Sequence, residues 1–79
     1  MTPDQAQRII EQALAQIAPD VDIASLTPDT DLQDDIGLDS LDFLRFVEIL
    51  SQRTGMQIAE DDYPHLATLA SATKFLAGG

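Results

Sequence analysis

Gly37-Leu38-Asp39-Ser40-Leu41-Asp42-Phe43-Leu44-Arg45-Phe46-Val47-Glu48-Ile49-Leu50 holds the clearest helix start in the chain. A glycine breaks the backbone, and Asp39 then supplies a carboxylate to accept hydrogen bonds from the amides of a first turn. Asp42, three positions on, favours the positive end of the helix dipole. Phe43, Phe46, Val47 and Leu50 recur at the helical period and draw one apolar stripe toward a core. Gly55 supplies the stop. A second row on the same helix runs Leu41, Leu44, Arg45, Glu48, and its two leucines are more apolar than an exposed face requires.

Working outward, Thr2-Pro3-Asp4-Gln5 reads as the start of a first helix. Thr2 is its cap, Pro3 takes the first helical position, and Gln5 completes a capping box. Ala6, Ile9, Ile10, Ala13, Leu14 and Ile17 follow on one face, and Pro19 ends the helix near Ala18. From Pro19 to Leu38 no period holds, so a long loop is expected, its scattered Val21, Ile23, Leu26, Leu32 and Ile36 pinning it across the helices. Thr27-Pro28-Asp29-Thr30 suggests a turn within it. Glu60-Asp61-Asp62-Tyr63 has room for at most one short helical turn before Pro64, and His65 beside it reads as a solvated loop residue. Thr68 caps a last helix with Leu69, Ala72, Phe75 and Leu76 inward, closed by Gly78-Gly79. No sustained alternation marks a strand. The expected fold is all-α: a small four-helix bundle with three main helices, a short third helix, and a long loop between helices 1 and 2.

The composition narrows what such a bundle can do. Seventy-nine residues make one domain over 1–79, and a chain of this size buries only roughly 60% of its unfolded surface. With 4 basic residues, 1 His and no Cys, it is poorly supplied for catalysis, and no enzyme activity is expected. The net charge of −10 repels nucleic acid and anionic membranes and attracts proteins with basic faces. Met1-Thr2-Pro3-Asp4-Gln5 lacks the basic and apolar regions of a signal peptide, and no apolar run approaches a membrane span. A cytoplasmic monomer without stable membrane insertion is the expectation. A hydrolase built on Ser40 has no recognisable general base. An EF-hand reading of Asp29, Asp31 and Gln33 fails, because the sixth position is Asp34 rather than Gly and the twelfth is Ser40 rather than Glu. No metal site is expected.

Ser40, exposed at the start of the second helix, is well placed to hold a phosphate, since helix-start amides point outward and the dipole favours an anion. The run Asp34-Asp35-Ile36-Gly37-Leu38-Asp39-Ser40-Leu41-Asp42 resembles the attachment motif of acyl carrier proteins. Gln7-Arg8-Ile9-Ile10-Glu11 is similar to the family's first helix, and Leu26-Thr27-Pro28-Asp29-Thr30-Asp31-Leu32 to the end of its first loop. The resemblance covers nearly the whole chain.

It implies that a phosphopantetheinyl transferase attaches 4′-phosphopantetheine from coenzyme A to Ser40, with Asp39 and Leu41 flanking the cofactor site. The thiol of that arm then carries acyl groups as thioesters between acyl-loading and acyl-transfer enzymes. An aliphatic core with few aromatics would let a chain slip between the helices, as many family members allow. Partner contacts are expected at Asp39, Leu41, Asp42, Leu44, Arg45 and Glu48. Carriers of fatty acid synthesis typically have an acidic second helix, whereas this chain has Arg45 and then Ser51, Gln52 and Arg53. That departure points to a specialised carrier in lipid or secondary metabolism. A peptidyl or aminoacyl carrier using the same serine is one alternative, and a cofactor-free acidic interaction module is another.

Overall fold

The computed structural model describes residues 1–78. Three α-helices, α1 (Pro3–Ile17), α2 (Ser40–Thr54) and α3 (Leu69–Gly78), are joined by two 3-10 segments, Ile23–Ser25 and Glu60–Leu66. This is the expected all-α arrangement, with the 3-10 helix 60–66 in the place of the short third helix. Helix α1 packs against both α2 and α3, and α3 also packs against the 3-10 helix 60–66. No helix among the described residues is long and apolar enough to cross a membrane.

The helix ends form as their residues dictate. Thr2 Oγ1 accepts from the Gln5 amide at 3.2 Å while Gln5 Oε1 accepts from the Thr2 amide at 3.1 Å, a complete capping box. Asp39 Oδ1 accepts from the Asp42 amide at 2.8 Å, so α2 begins at Ser40. Gly55 closes α2 with φ +72°, a backbone conformation that glycine adopts without steric penalty. Thr68 Oγ1 accepts from the Ser71 amide at 3.1 Å at the head of α3. Helix α3 itself runs through Gly78, whereas Gly79, the other half of the expected stop, lies outside the described residues.

The core is a single aliphatic cluster with one large aromatic at its centre. Ile10 and Leu14 of α1, Phe46 and Leu50 of α2, and Leu76 of α3 are fully buried, together with Leu32 from the loop and Leu66 from the 3-10 helix. Leu32 shows how the long loop is pinned. Its amide donates to the Ala67 carbonyl at 2.8 Å, the Leu69 amide donates to Thr30 at 3.1 Å, and the Ala70 amide donates to Pro28 at 3.0 Å. Asp31 and Thr68 thereby make an isolated antiparallel bridge, and no named strand forms among the described residues.

The loop also carries more local structure than its aperiodic sequence suggests. Asp22 Oδ1 accepts from the Ala24 amide to start the 3-10 turn 23–25, and the Thr30 amide donates to the Thr27 carbonyl in the expected turn. The larger departure is at Pro64. The helix 60–66 runs through this proline rather than ending before it. Runs of 3-10 helix longer than three or four residues are uncommon. This one is held by tertiary contacts: Tyr63 meets Phe43, Leu66 is fully buried, and the exposed His65 stacks parallel on Phe75 at 5.5 Å. His65 is therefore solvent-exposed as expected, but it sits in a helix rather than a loop and stacks on an aromatic ring.

Candidate functional site

Ser40 is exposed at the first position of α2, directly after its cap. The cap fixes how the serine is presented. Asp39 Oδ1 holds the Asp42 amide and the Asp39 carbonyl accepts from the Phe43 amide at 2.9 Å. The amides of Ser40 and Leu41 precede the first intrahelical donor and have no helical partner, so they are available to an anion at the serine.

The approach to Ser40 is equally well fixed. Asp31 Oδ1 accepts from the amides of Asp34 at 2.7 Å and Gln33 at 2.9 Å, while the Asp31 amide donates to Asp35 Oδ2 at 2.8 Å. The Gln33 carbonyl in turn accepts from both Gly37 and Leu38, each at 2.9 Å. Gly37 takes φ +86°, and Leu38 is buried, so the chain enters Asp39 along a defined path. Hydrogen bonds from the Asp34 amide first, and then from the Gln33 amide, hold the Asp31 carboxyl below the ordinary aspartate range. Asp31, which a calcium-loop reading would treat as a ligand, thus accepts hydrogen bonds from the loop's own backbone, as does Asp35.

A cleft of about 510 Å³ opens beside the serine, lined on one side by Asp31, Gln33 and Asp34, on the second by Ser40, Phe43 and Leu44, and across from them by Tyr63, Pro64, Leu66 and Ala67. Sequence reading singled out Ser40 and Leu44 in this wall but missed its other two sides. Those sides come from the bridge between the loop and α3, which has no local signature, and from the 3-10 helix, whose sequence suggests only a single turn ending before Pro64. The clustering of aromatics around position 40 was the one available signal.

The other residues singled out in the sequence are the cap Asp39 and residues of α2, of which Leu44 lines the cleft and Leu41, Asp42, Arg45 and Glu48 do not. Leu41 is 72% exposed and Leu44 43% exposed, so neither belongs to the core stripe. Arg45 and Glu48 are exposed, and Asp42 is half-buried. Leu41, Leu44, Arg45 and Glu48 share one helical face by their spacing. The second arginine of the helix, Arg53, is engaged elsewhere, donating to Gln12 Oε1 on α1 at 2.7 Å.

A family model described as a phosphopantetheine attachment site matches residues 8–76. An acyl carrier protein of Solidesulfovibrio magneticus is 28% identical over 71 residues, covering 90% of this chain and 88% of its own length. An acyl carrier protein of Streptomyces coelicolor is 31% identical over 78 residues, covering 96% of this chain and 85% of its own. A phosphodiester-linked arm needs an accessible hydroxyl, donors for its phosphate and a surface to lie along, and the start of α2 offers all three. The match across most of the sequence, with relatives aligned over nearly their full length, establishes that the chain belongs to the acyl carrier protein family, whose prosthetic group is a covalently attached phosphopantetheine.

Proposed function

We propose that Ser40 is the residue that takes the phosphopantetheine, and that the single domain 1–79 works as a carrier with no catalysis of its own. The observation that carries this is the position of Ser40: exposed, first in a helix capped by Asp39, and at the mouth of a cleft. In the attachment step the Ser40 hydroxyl displaces adenosine 3′,5′-bisphosphate from the pyrophosphate of coenzyme A. The new phosphodiester forms at Ser40 Oγ and the hydroxyl proton passes to a base of the phosphopantetheinyl transferase. Asp39 holds the helix start in place, and the amides of Ser40 and Leu41 face the phosphodiester charge. The bound arm supplies a thiol that holds acyl groups as thioesters.

The same reading assigns Leu41 and Leu44 as apolar anchors for the transferase and the acyl enzymes, rimmed by Asp39, Asp42, Arg45 and Glu48. Exposed leucines beside the attachment point favour this role, since large apolar side chains left in water mark contact surfaces when grouped. Arg45 gives the face mixed charge, and a charge of the wrong sign is a direct means of rejecting partners. The partners are therefore a dedicated set in a specialised lipid or secondary-metabolite pathway. Fragment mass mapping after incubation with coenzyme A and a promiscuous transferase tests the attachment point. The arm should be found on the peptide containing Ser40, and its presence on any other serine would overturn the assignment.

A further inference from the structure

The chain has 3 Phe and 1 Tyr, and two of these four rings, Phe43 and Tyr63, line the cleft beside Ser40. Phe43 lies one turn beyond Ser40 on α2 and therefore beneath it on the same side of the helix. Tyr63 meets it from the 3-10 helix 60–66, edge to face, with centroids 5.4 Å apart and planes at 80°. Phe46 stands next to Phe43 at 6.2 Å and is fully buried. The first pair spans the gap between α2 and the 3-10 helix, and the third ring fills the space behind it. Beyond them Ile10, Leu14 and Leu50 are fully buried in the core. A close-packed interior takes an inserted chain only by moving side chains out of their preferred positions.

We infer that Phe43 and Tyr63 bar the way from Ser40 into the helix bundle, so that the cargo is a small acyl group held in the cleft or in solvent rather than a long chain buried between the helices. The inference rests on Ser40 as the attachment point. The rest of the cleft suits such a cargo. Its lining combines the polar Asp31, Gln33 and Asp34 with the apolar Leu44, Pro64 and Ala67, so a short group finds both kinds of contact without entering the core.

The test uses the full chain loaded from acetyl-coenzyme A or dodecanoyl-coenzyme A by a promiscuous transferase, with intact mass confirming each product. The methyl signals of Ile10, Leu14 and Leu50 are then compared by NMR. In the wild type the acetyl and dodecanoyl forms should give the same core methyl positions. In Phe43→Ala, and independently in Tyr63→Leu, the dodecanoyl form should shift them. Core shifts in the dodecanoyl wild type as large as in the variants would overturn the inference. So would an absence of shifts in both variants, because the rings would then not be what excludes the chain. If Phe43→Ala fails to fold, the wild type and Tyr63→Leu decide the matter. A chain that gains no mass from either donor would overturn the attachment reading and this inference with it.

Discussion

Asp39 Oδ1 stands 2.8 Å from the amide of Asp42, and this one hydrogen bond caps α2 directly before the exposed Ser40. Replacing Asp39 with Ala removes the cap. The expected cost is about 1 kcal/mol of stability, the usual value for a lost N-cap. Urea unfolding would measure it, and attachment of the arm at Ser40 should slow under conditions where the variant is fully folded.

Asp31 makes stability depend on acid. Its carboxyl is held below the ordinary aspartate value of 3.8 by the amides of Asp34 and Gln33. The folded state therefore favours the ionised form. The contribution is fully present above the unfolded value and is lost as pH falls through the lowered folded value. Asp31→Asn keeps an oxygen acceptor but does not titrate. Unfolding curves taken down to about pH 2 should fall less steeply for the variant than for the wild type.

Gly37 has φ +86° and open space where a side chain would project. The cost of Gly37→Ala is therefore conformational rather than steric crowding by neighbours. It should be about 1–2 kcal/mol, the penalty for an L-residue in the left-handed region. Chemical denaturation gives the number, and a neutral result would mean that the loop before Asp39 can take another path.

Phe46 is fully buried in the core. Phe46→Ala should cost about 3–5 kcal/mol. In a domain this small that is much of the total stability. Thermal unfolding followed by circular dichroism should show a broadened transition at much lower temperature, or none.

Arg45 tests the choice of partners. If the mixed charge of the α2 face rejects the enzymes of ordinary fatty acid synthesis, Arg45→Glu should raise the rate at which those enzymes load and turn over the holo-protein. Wild-type rates equal to those with the enzymes' own carrier would end the case for specialisation.

Much of the fold could be read from residues that act locally. Thr2 with Gln5, Asp39, Gly55 and Thr68 each satisfy helix ends through neighbours within a few positions, so their sequence signals carry straight into structure. The rest depends on distant partners. The Leu32 amide finds its acceptor at Ala67, and Tyr63 keeps a 3-10 helix running through Pro64 by meeting Phe43. No local pattern encodes either contact. The candidate site divides the same way: Ser40 and its cap were legible in one stretch, while the opposite walls of the cleft came from those two long-range contacts. The scarcity of aromatics suggested an interior open to an inserted chain, but two of the few present, Phe43 and Tyr63, meet edge to face at the cleft beside Ser40.

Intact-mass measurement of wild type and Ser40→Ala side by side decides whether Ser40 carries the arm. Both are incubated with coenzyme A and a promiscuous phosphopantetheinyl transferase. The wild type should gain one phosphopantetheine unit and Ser40→Ala none, with both chains folded by circular dichroism. An unchanged wild type, or a Ser40→Ala chain that gains the same mass, would contradict the account.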